Sequence, residues 1–282
     1  MDNLIGAHCF TAGGIETALE TAKKLNIKVI QIFTKNNNQW EAKDLNIELH
    51  NFFNKHANKA YITYTVAHSS YLINLGTPKA ALLQKSLTAL KNELNRCQFL
   101  GISDLVLHPG SYKDSDFNTS ILQISQSIDK IYDENPDLTT KILLENTAGQ
   151  GSSIGHTFHQ LKQIFDLIHN KNKIGFCLDT AHMWAAGYDF VNNYEKVIEE
   201  FDNLLGISNL KLIHLNDSKS KFNSRVDRHE HIGKGTIGLK GFENILNDKR
   251  LKHIPKVIET PKSKTQIEDI ENLKILYSLI KT

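Results

Sequence analysis

The sequence lacks a charge excess of either sign, because 33 lysines and arginines face 31 aspartates and glutamates in 282 residues. The formal net charge of +2 excludes a polybasic nucleic-acid binder, which would carry a clear cationic surplus. Cysteine is scarce as well. The three cysteines, Cys9, Cys97 and Cys177, are far apart and form no CxxC pair, which excludes a disulfide framework and a cysteine-rich zinc module.

Long apolar runs are also missing from the sequence. No stretch approaches the roughly 18 uncharged apolar residues that a membrane helix requires. No basic segment followed by an apolar run opens the chain, so we expect no signal peptide. With the cysteine usage, these absences predict a cytoplasmic protein without a membrane partner. Only five prolines and 40% hydrophobic residues predict a packed core.

Histidine, in contrast, is abundant, and several of the 13 histidines follow an internal repeat. Eight short apolar or β-branched runs each end in a polar or chemically active residue, at intervals of 26 to 45 residues. That interval fits one strand, one helix and two loops. The third run, for example, covers residues 61–66 and leads to His68. The eight end residues are His8, Thr34, His68, His108, Glu145, Asp179, His214 and Glu259.

The segments between these runs show helical periodicity, most clearly at residues 14–25 and 78–100. Eight strand–helix units in this length predict an α/β fold, a closed (β/α)8 TIM barrel that forms a single domain over residues 1–282. A doubly wound open sheet competes with the barrel. It usually has fewer strands, and no GxGxxG motif follows the first run. In a barrel, the active site lies at the carboxyl ends of the strands.

Histidine, aspartate and glutamate at the ends of so many strands indicate a metal site. A lone histidine at a strand end more often caps a neighbouring element or makes an ordinary hydrogen bond. Carboxylates gathered in one cavity, however, repel each other unless a cation binds between them. Asp179 and His182 are three residues apart at a helix start, and Asp227 and His229 alternate in an extended loop. A set this large has room for two or three ions, the arrangement that clamps a phosphodiester.

The motifs in the chain resemble endonuclease IV, the zinc-dependent apurinic/apyrimidinic (AP) endonuclease family also called deoxyribonuclease IV. The resemblance runs nearly end to end, and the motifs occur in the family's order. They are IGAH at residues 5–8, FTKN at 33–36, HSSYLINLG at 68–76, LHPGS at 107–111, ENTAGQG at 145–151, LDTAH at 178–182, HLND at 214–217, SRVDRH at 224–229 and ET at 259–260.

The resemblance implies three zinc ions, with Mn²⁺ compatible at some of the sites. It implies that Glu145 is the central catalytic residue, because it would be shared by two of the ions. The first ion would be held by His68, His108 and Glu145; the second by Glu145, Asp179, His214 and Glu259; the third by His182, Asp227 and His229. It assigns no metal to His8.

The same resemblance implies a substrate and a reaction. The enzyme would act in base excision repair on double-stranded DNA that contains abasic sites. It would hydrolyse the phosphodiester 5′ to the abasic sugar and leave a 3′-hydroxyl and a 5′-deoxyribose phosphate. Metal ions supply water activation and charge neutralisation, so no side-chain nucleophile is needed. We expect a monomer.

Contacts to DNA are implied at two loops of the barrel mouth. Tyr71 and Leu72 match the pair that the family inserts where the abasic nucleotide rotates out of the helix. The family also uses an arginine in the loop after the second strand, and Asn38 occupies that position here. We therefore expect Lys35, Asn36 and Asn38 to contact DNA in its place, with weaker binding.

Two other functions remain open from the sequence. A metal-dependent sugar isomerase or epimerase can be built on a similar barrel, but such sites use one or two ions and would leave His182, Asp227 and His229 without a role. A non-catalytic protein that binds damaged DNA would be expected to have lost some ligands, and all nine ligand positions are filled.

Overall fold

Eight parallel strands form a closed barrel in this protein. The structure is a computed structural model, and it describes residues 4–48, 50, 51, 53, 55, 62–113 and 115–281. The bounds of the barrel strands are β1 Ile5–His8, β2 Val29–Ile32, β3 Tyr64–His68, β4 Asp104–Leu107, β5 Lys141–Glu145, β6 Ile174–Asp179, β7 Leu210–His214 and β10 Lys256–Ile258. The strands follow one another around the barrel in chain order, and β10 pairs with β1 to close it.

Helices connect successive strands of the barrel and cover its outer surface. Three of them begin at a side chain that caps a backbone amide, namely Asp116, Thr157 and Asp179. The helices with fully described bounds are α1 Glu16–Leu25, α2 Ala80–Phe99, α3 Phe117–Asp133, α4 Phe158–Leu167, α5 Thr180–Ala186, α6 Tyr194–Leu205, α7 Leu239–Asn247 and α8 Glu268–Ser278. Among the described residues, none of the helices is both long and apolar enough to cross a membrane.

The predicted (β/α)8 barrel is confirmed, with small shifts at the ends of the elements. The sixth and seventh strands end at the predicted Asp179 and His214, while the second ends at Ile32, before the predicted Thr34. Tyr61, in the third predicted run, lies outside the described residues. The sequence did not predict β8 (Asp217–Ser218) and β9 (His229–Glu230), which form a short antiparallel pair after β7.

The interior of the barrel is a small apolar layer separate from the larger core between the sheet and the helices. Because side chains alternate along a strand, the residue two positions after each member of this layer lies on the same inner face. The layer consists of Val29, Val66, Val106, Leu143, Cys177, Leu212 and Val257. Two positions further along stand Gln31, His68, His108, Glu145, Asp179, His214 and Glu259. This register places one polar residue per strand directly above an apolar floor.

Strand β1 follows the same register with a glycine, Gly6, two residues before His8. A Cβ at Gly6 would lie 1.7 Å from the carbonyl oxygen of Val29 in the neighbouring strand β2. Backbone atoms cannot move aside as the end of a flexible side chain can, so the strands of the barrel would have to shift.

We therefore predict that Gly6→Ala lowers the free energy of unfolding by about 3 kcal/mol or more, at the upper end of overpacking costs. Gly151→Ala is the matched control, because its Cβ meets open space and only the left-handed backbone (φ +61°) resists it. Its cost should be about 1–2 kcal/mol. Urea unfolding of both variants measures the difference. Equal losses would show that the close approach at Gly6 does not constrain the barrel.

Candidate metal centre

Glu145, at the end of β5, is the centre of a buried cluster of imidazoles. Its Oε2 lies 2.9 Å from Nε2 of His108 and 3.3 Å from Nε2 of His68. Its Oε1 lies 3.0 Å from Nδ1 of His214 and 3.3 Å from Nδ1 of His182. Each carboxylate oxygen therefore faces its own set of histidines, which is the geometry of a carboxylate that bridges two cations.

Two groups of side chains around Glu145 could each hold a metal ion. In each group the ligand atoms lie within 4.8 Å of one another, close enough for one cation to reach them all. In the second group, Nδ1 of His214 is 3.2 Å from Oε2 of Glu259 and 3.8 Å from Oδ2 of Asp179. The first group is His68, His108 and Glu145, and the second is Glu145, Asp179, His214 and Glu259.

A third group lies beside them, where α5 and β9 meet. Nε2 of His182 is 3.1 Å from Oδ2 of Asp227, and Nε2 of His229 is 3.4 Å from Oδ1 of the same carboxylate. The ligand atoms of Asp179, His182 and His229 also lie within 4.8 Å of one another. Nε2 of His229 is buried and has no hydrogen-bond partner among the described residues. An imidazole nitrogen left in this state fits a cation at this position.

Local structure explains how the third group is formed. Asp179 ends β6 and caps α5, where its Oδ1 accepts a hydrogen bond of 2.8 Å from the amide of His182. The i, i+3 spacing then turns His182 back toward the cluster, as the sequence predicted. His229 lies in β9, which pairs with β8, and β8 begins at Asp217. The buried carboxylate of Asp217 accepts hydrogen bonds from four backbone amides and fixes this loop.

The charges in the cluster shift the protonation equilibria of its members. Burial opposes ionisation of Glu145, but the imidazoles of His108 and His214 outweigh it and hold its pKa well below the usual range. Burial likewise opposes ionisation of Glu259, but His214 and His68 lower its pKa to about 2. Burial alone would lower the pKa of His214, yet the carboxylates of Glu259 and Glu145 raise it well above the usual value. The carboxylates of Glu145 and Glu259 are thus anionic and attract positive charge, which a divalent cation would supply.

Two asparagines hold Asp179 and Glu259 of the cluster in position. Asn216 donates a hydrogen bond of 2.6 Å to Oδ2 of Asp179 and accepts one of 2.6 Å from the amide of Glu259. Asn146 accepts a hydrogen bond of 2.7 Å from the amide of Asp179 and donates to its carbonyl oxygen. Both asparagines lie within sequence motifs of the resemblance, but no sequence pattern indicated these contacts.

Sequence reasoning also missed two side chains that contact the cluster from within the barrel. Gln31 is fully buried in β2 and hydrogen-bonds to both His214 and Glu259. A lone polar residue in an apolar strand was the signal for it. The sulfur of Cys177 lies within 4.8 Å of the ligand atoms of Glu145 and His214. Burial raises the pKa of Cys177 to about 12, so it remains a neutral thiol in the floor.

His8, at the end of β1, is buried beside the cluster and stands 3.8 Å from Oε1 of Glu259. Burial lowers its pKa to about 3, so the imidazole is neutral at physiological pH. Its Nδ1 lies 3.0 Å from the amide nitrogen of Gln31. His8 belongs to none of the metal-binding groups among the described residues.

The residues expected to contact DNA lie on two loops of the mouth. Tyr71 is 58% exposed, and its ring centroid lies 5.3 Å from that of His68 and 5.9 Å from that of His108. Leu72 beside it is half-buried, and Asn36 and Asn38 are exposed. Of these four side chains, Tyr71 lines the cavity above the cluster, while Asn38 lines a separate cavity together with Trp40 and Gln84.

Lys35 is placed differently from the sequence expectation. Its side chain is buried, and its ammonium lies 3.4 Å from Glu93 and donates a hydrogen bond to the carbonyl oxygen of Gln39. Glu93 in turn accepts from the amide of Ser70, and the hydroxyl of Ser70 donates to the carbonyl oxygen of Asn37. Lys35 thus holds the two rim loops together, and its charge is not presented to DNA.

Comparison with known proteins identifies the family of this chain. Residues 19–277 match the family model described as xylose isomerase-like TIM barrel. A protein of Citrifermentans bemidjiense named "Probable endonuclease 4" is 42% identical over 280 residues, which cover 99% of each chain. The crystal structure of endonuclease IV from Thermus thermophilus superposes with a TM-score of 0.87 at 30% identity and covers 98% of both chains. The chain belongs to the endonuclease IV family.

Membership of the endonuclease IV family confirms the resemblance found in the sequence, and with it the prediction that the chain is an enzyme. The barrel itself is shared more widely. A D-tagatose 3-epimerase-like protein matches with a TM-score of 0.73 at 17% identity, over 98% of this chain and 97% of the other. At that identity the match shows the common fold alone.

The cluster predicts that divalent metal stabilises this endonuclease IV family member. Zn²⁺ at 1,000 times its dissociation constant would stabilise the folded state by about 4 kcal/mol per site, or several degrees in the unfolding temperature. Calorimetry of the metal-free chain with and without Zn²⁺ measures this, and His214→Ala should reduce the effect. His253→Ala, an exposed histidine, is the control and should retain it. An unchanged unfolding temperature with Zn²⁺ would refute the metal centre.

Proposed function

We propose that this chain is a zinc-dependent AP endonuclease of base excision repair. We infer that residues 1–282 act as a single domain and as a monomer on double-stranded DNA that contains an abasic site. The enzyme would hydrolyse the phosphodiester 5′ to the abasic sugar and leave a 3′-hydroxyl and a 5′-deoxyribose phosphate. Zinc is the proposed metal at all three groups, and Mn²⁺ is compatible with those rich in carboxylate.

The observation that carries this proposal is the third group of ligands. His182, Asp227 and His229 converge beside the two groups that share Glu145, and Nε2 of His229 is buried without a hydrogen-bond partner among the described residues. A third cation fits there. Three adjacent cations suit a phosphodiester, which carries charge on several oxygens through the reaction.

The protein residues supply the position and the charge that the reaction needs. Metal ions in such a centre lower the pKa of water and neutralise the charge that develops on phosphate. Glu145 joins the first two groups and fixes the distance between them, while Asp227 and His229 extend the site toward the exposed rim. This scheme needs no side-chain nucleophile, because the nine candidate side chains would all serve as ligands.

The rim residues support an abasic nucleotide as substrate. Tyr71 is exposed directly beside His68 and His108, so a side chain that enters the DNA helix would stand next to the metal centre. A nucleotide must leave the helix to reach ligands that are buried, and the cost is lowest when it has no base to unstack.

Sugar isomerisation or epimerisation explains fewer of the observations. Proteins of that kind share the barrel, but one or two cations suffice for them, and Glu145 with its two flanking groups would provide these. The convergence of His182, Asp227 and His229 would then have no function. We therefore favour the endonuclease.

Replacement of Glu145 tests the proposed reaction. Glu145→Gln should reduce incision of a duplex with one abasic analogue by at least about 100-fold, because an electrostatic contact at the reacting centre is lost. Circular dichroism should be unchanged. Glu134→Gln, an exposed glutamate at the end of α3, is the control and should cleave like the wild type. Near wild-type cleavage by Glu145→Gln at full metal occupancy would falsify the assignment.

Replacement of Asn38 tests the proposed contact at the rim. Asn38→Arg places a cation on an exposed loop beside the mouth, so it should tighten binding to an abasic duplex by about 10-fold, the effect of one phosphate contact of roughly 1.4 kcal/mol. Binding measured at two salt concentrations should show a steeper salt dependence for the variant. Equal affinities at both concentrations would argue against a DNA contact at this position.

A further inference from the structure

The side chain of Gln31 lies on the inner face of the barrel, level with the metal ligands. Gln31 follows Val29 of the apolar floor by two residues, the same interval that separates Leu212 from His214 and Val257 from Glu259. It is fully buried. In this ring of strand-end residues, Gln31 carries an uncharged amide. Burial of an amide costs free energy unless its hydrogen-bonding groups find partners.

The amide of Gln31 makes hydrogen bonds on both of its sides. Its nitrogen donates to Oε1 of Glu259 and lies 3.0 Å from Nδ1 of His8. Its oxygen lies 2.7 Å from Nε2 of His214. An ionised carboxylate can only accept, so the amide nitrogen must face Glu259, and the oxygen is then fixed toward His214.

This arrangement determines which nitrogen of His214 is free to bind metal. An amide oxygen only accepts, so Nε2 of His214 carries hydrogen. The other ring nitrogen, Nδ1, points at Glu145 and Glu259, at 3.0 and 3.2 Å. A cation held by these groups would take the place of a proton at Nδ1, and the hydrogen bond to Gln31 keeps the ring in the orientation that presents Nδ1 to it.

Glu259 is oriented by the same amide. Its Oε1 accepts from Gln31, which leaves Oε2 turned toward Nδ1 of His214. The backbone amide of Glu259 is held separately by Asn216. One glutamine therefore restrains two ligands of the second group from opposite sides.

We propose that Gln31 is a positioning residue of the metal centre, which holds His214 and Glu259 with their ligand atoms toward the cation that they share with Glu145 and Asp179. This inference rests on the proposed metal centre and adds to it a residue that orients two of its ligands. Gln31 contacts neither the first nor the third group in the hydrogen bonds of the described residues. Its effect should therefore be confined to one of the three cations.

Gln31→Met tests this inference, because methionine has a similar length and no amide. Contacts of this kind typically contribute 10- to 100-fold to metal affinity. We expect one of the three Zn²⁺ ions to bind about 10- to 100-fold more weakly, as measured by competition with a chromophoric chelator. The visible spectrum of the Co²⁺-substituted protein, which reports ligand geometry, should change as well.

Gln98→Met is the matched control. Gln98 accepts a hydrogen bond from the amide of Thr139, before β5, at the opposite end of the barrel. It should leave the affinity for all three ions and the Co²⁺ spectrum unchanged. Unchanged affinity and spectrum in Gln31→Met would overturn the proposal, and so would equal weakening of all three ions with a lower unfolding temperature of the metal-free protein.

Gln31→Glu keeps the test decisive if Gln31→Met does not fold. It preserves an acceptor for His214 but cannot donate to Glu259, so the Co²⁺ spectrum should still change; an unchanged spectrum would overturn the proposal. The proposed function fails separately. A wild type that binds three ions but does not incise abasic DNA refutes the endonuclease and leaves the comparison of Gln31 variants intact. A wild type that binds no divalent cation overturns both.

Discussion

Mutual repulsion of carboxylates in a closed cavity is the constraint on which the site depends. Glu145, Asp179 and Glu259 converge above an apolar floor, where water cannot screen them. The imidazoles offset part of this charge, as the raised pKa of His214 shows. Three divalent cations in place of the histidine protons would bring six positive charges against the four carboxylates of Glu145, Asp179, Asp227 and Glu259, and would leave a net positive charge. The attraction for phosphate would then lie at one mouth, which explains how a formal net charge of only +2 is compatible with a nuclease.

The barrel converts this local requirement into a repeated pattern along the chain. Strand register places the apolar floor and the polar layer two residues apart, so a ligand needs only to follow a floor residue such as Val66 or Leu143 at that interval. The third group is made differently. His182 comes from the first turn of α5, and His229 comes from β9, outside the barrel. It can therefore extend the site toward the rim without interrupting the register of the barrel strands.

Strand ends were predictable from the sequence because apolar runs that stop at a charged residue are local features. The contacts of Gln31 were not predictable. The sequence predicts a second run that ends at Thr34, so Gln31 falls inside this run, and its position two residues after Val29 does not mark it as a strand-end residue. The burial of Lys35 depends on Glu93, 58 positions further along the chain, and no local pattern reveals such a pair. The sequence thus predicted which residues form the cluster, and missed the side chains that hold them in place.

The rim is anchored by the same kind of long-range contact as the cluster. Glu93 binds Lys35 of one loop and the amide of Ser70 of the other, and the hydroxyl of Ser70 joins it to Asn37. The backbone on either side of Tyr71 and Asn38 is therefore fixed before any substrate arrives, which lowers the entropy cost of binding. It follows that asparagine at position 38, compared with the arginine of the family, changes the charge of one exposed side chain and leaves the shape of the rim unchanged. Under the proposed function, its effect would fall on DNA affinity, while the rate of hydrolysis would be set by the cluster below.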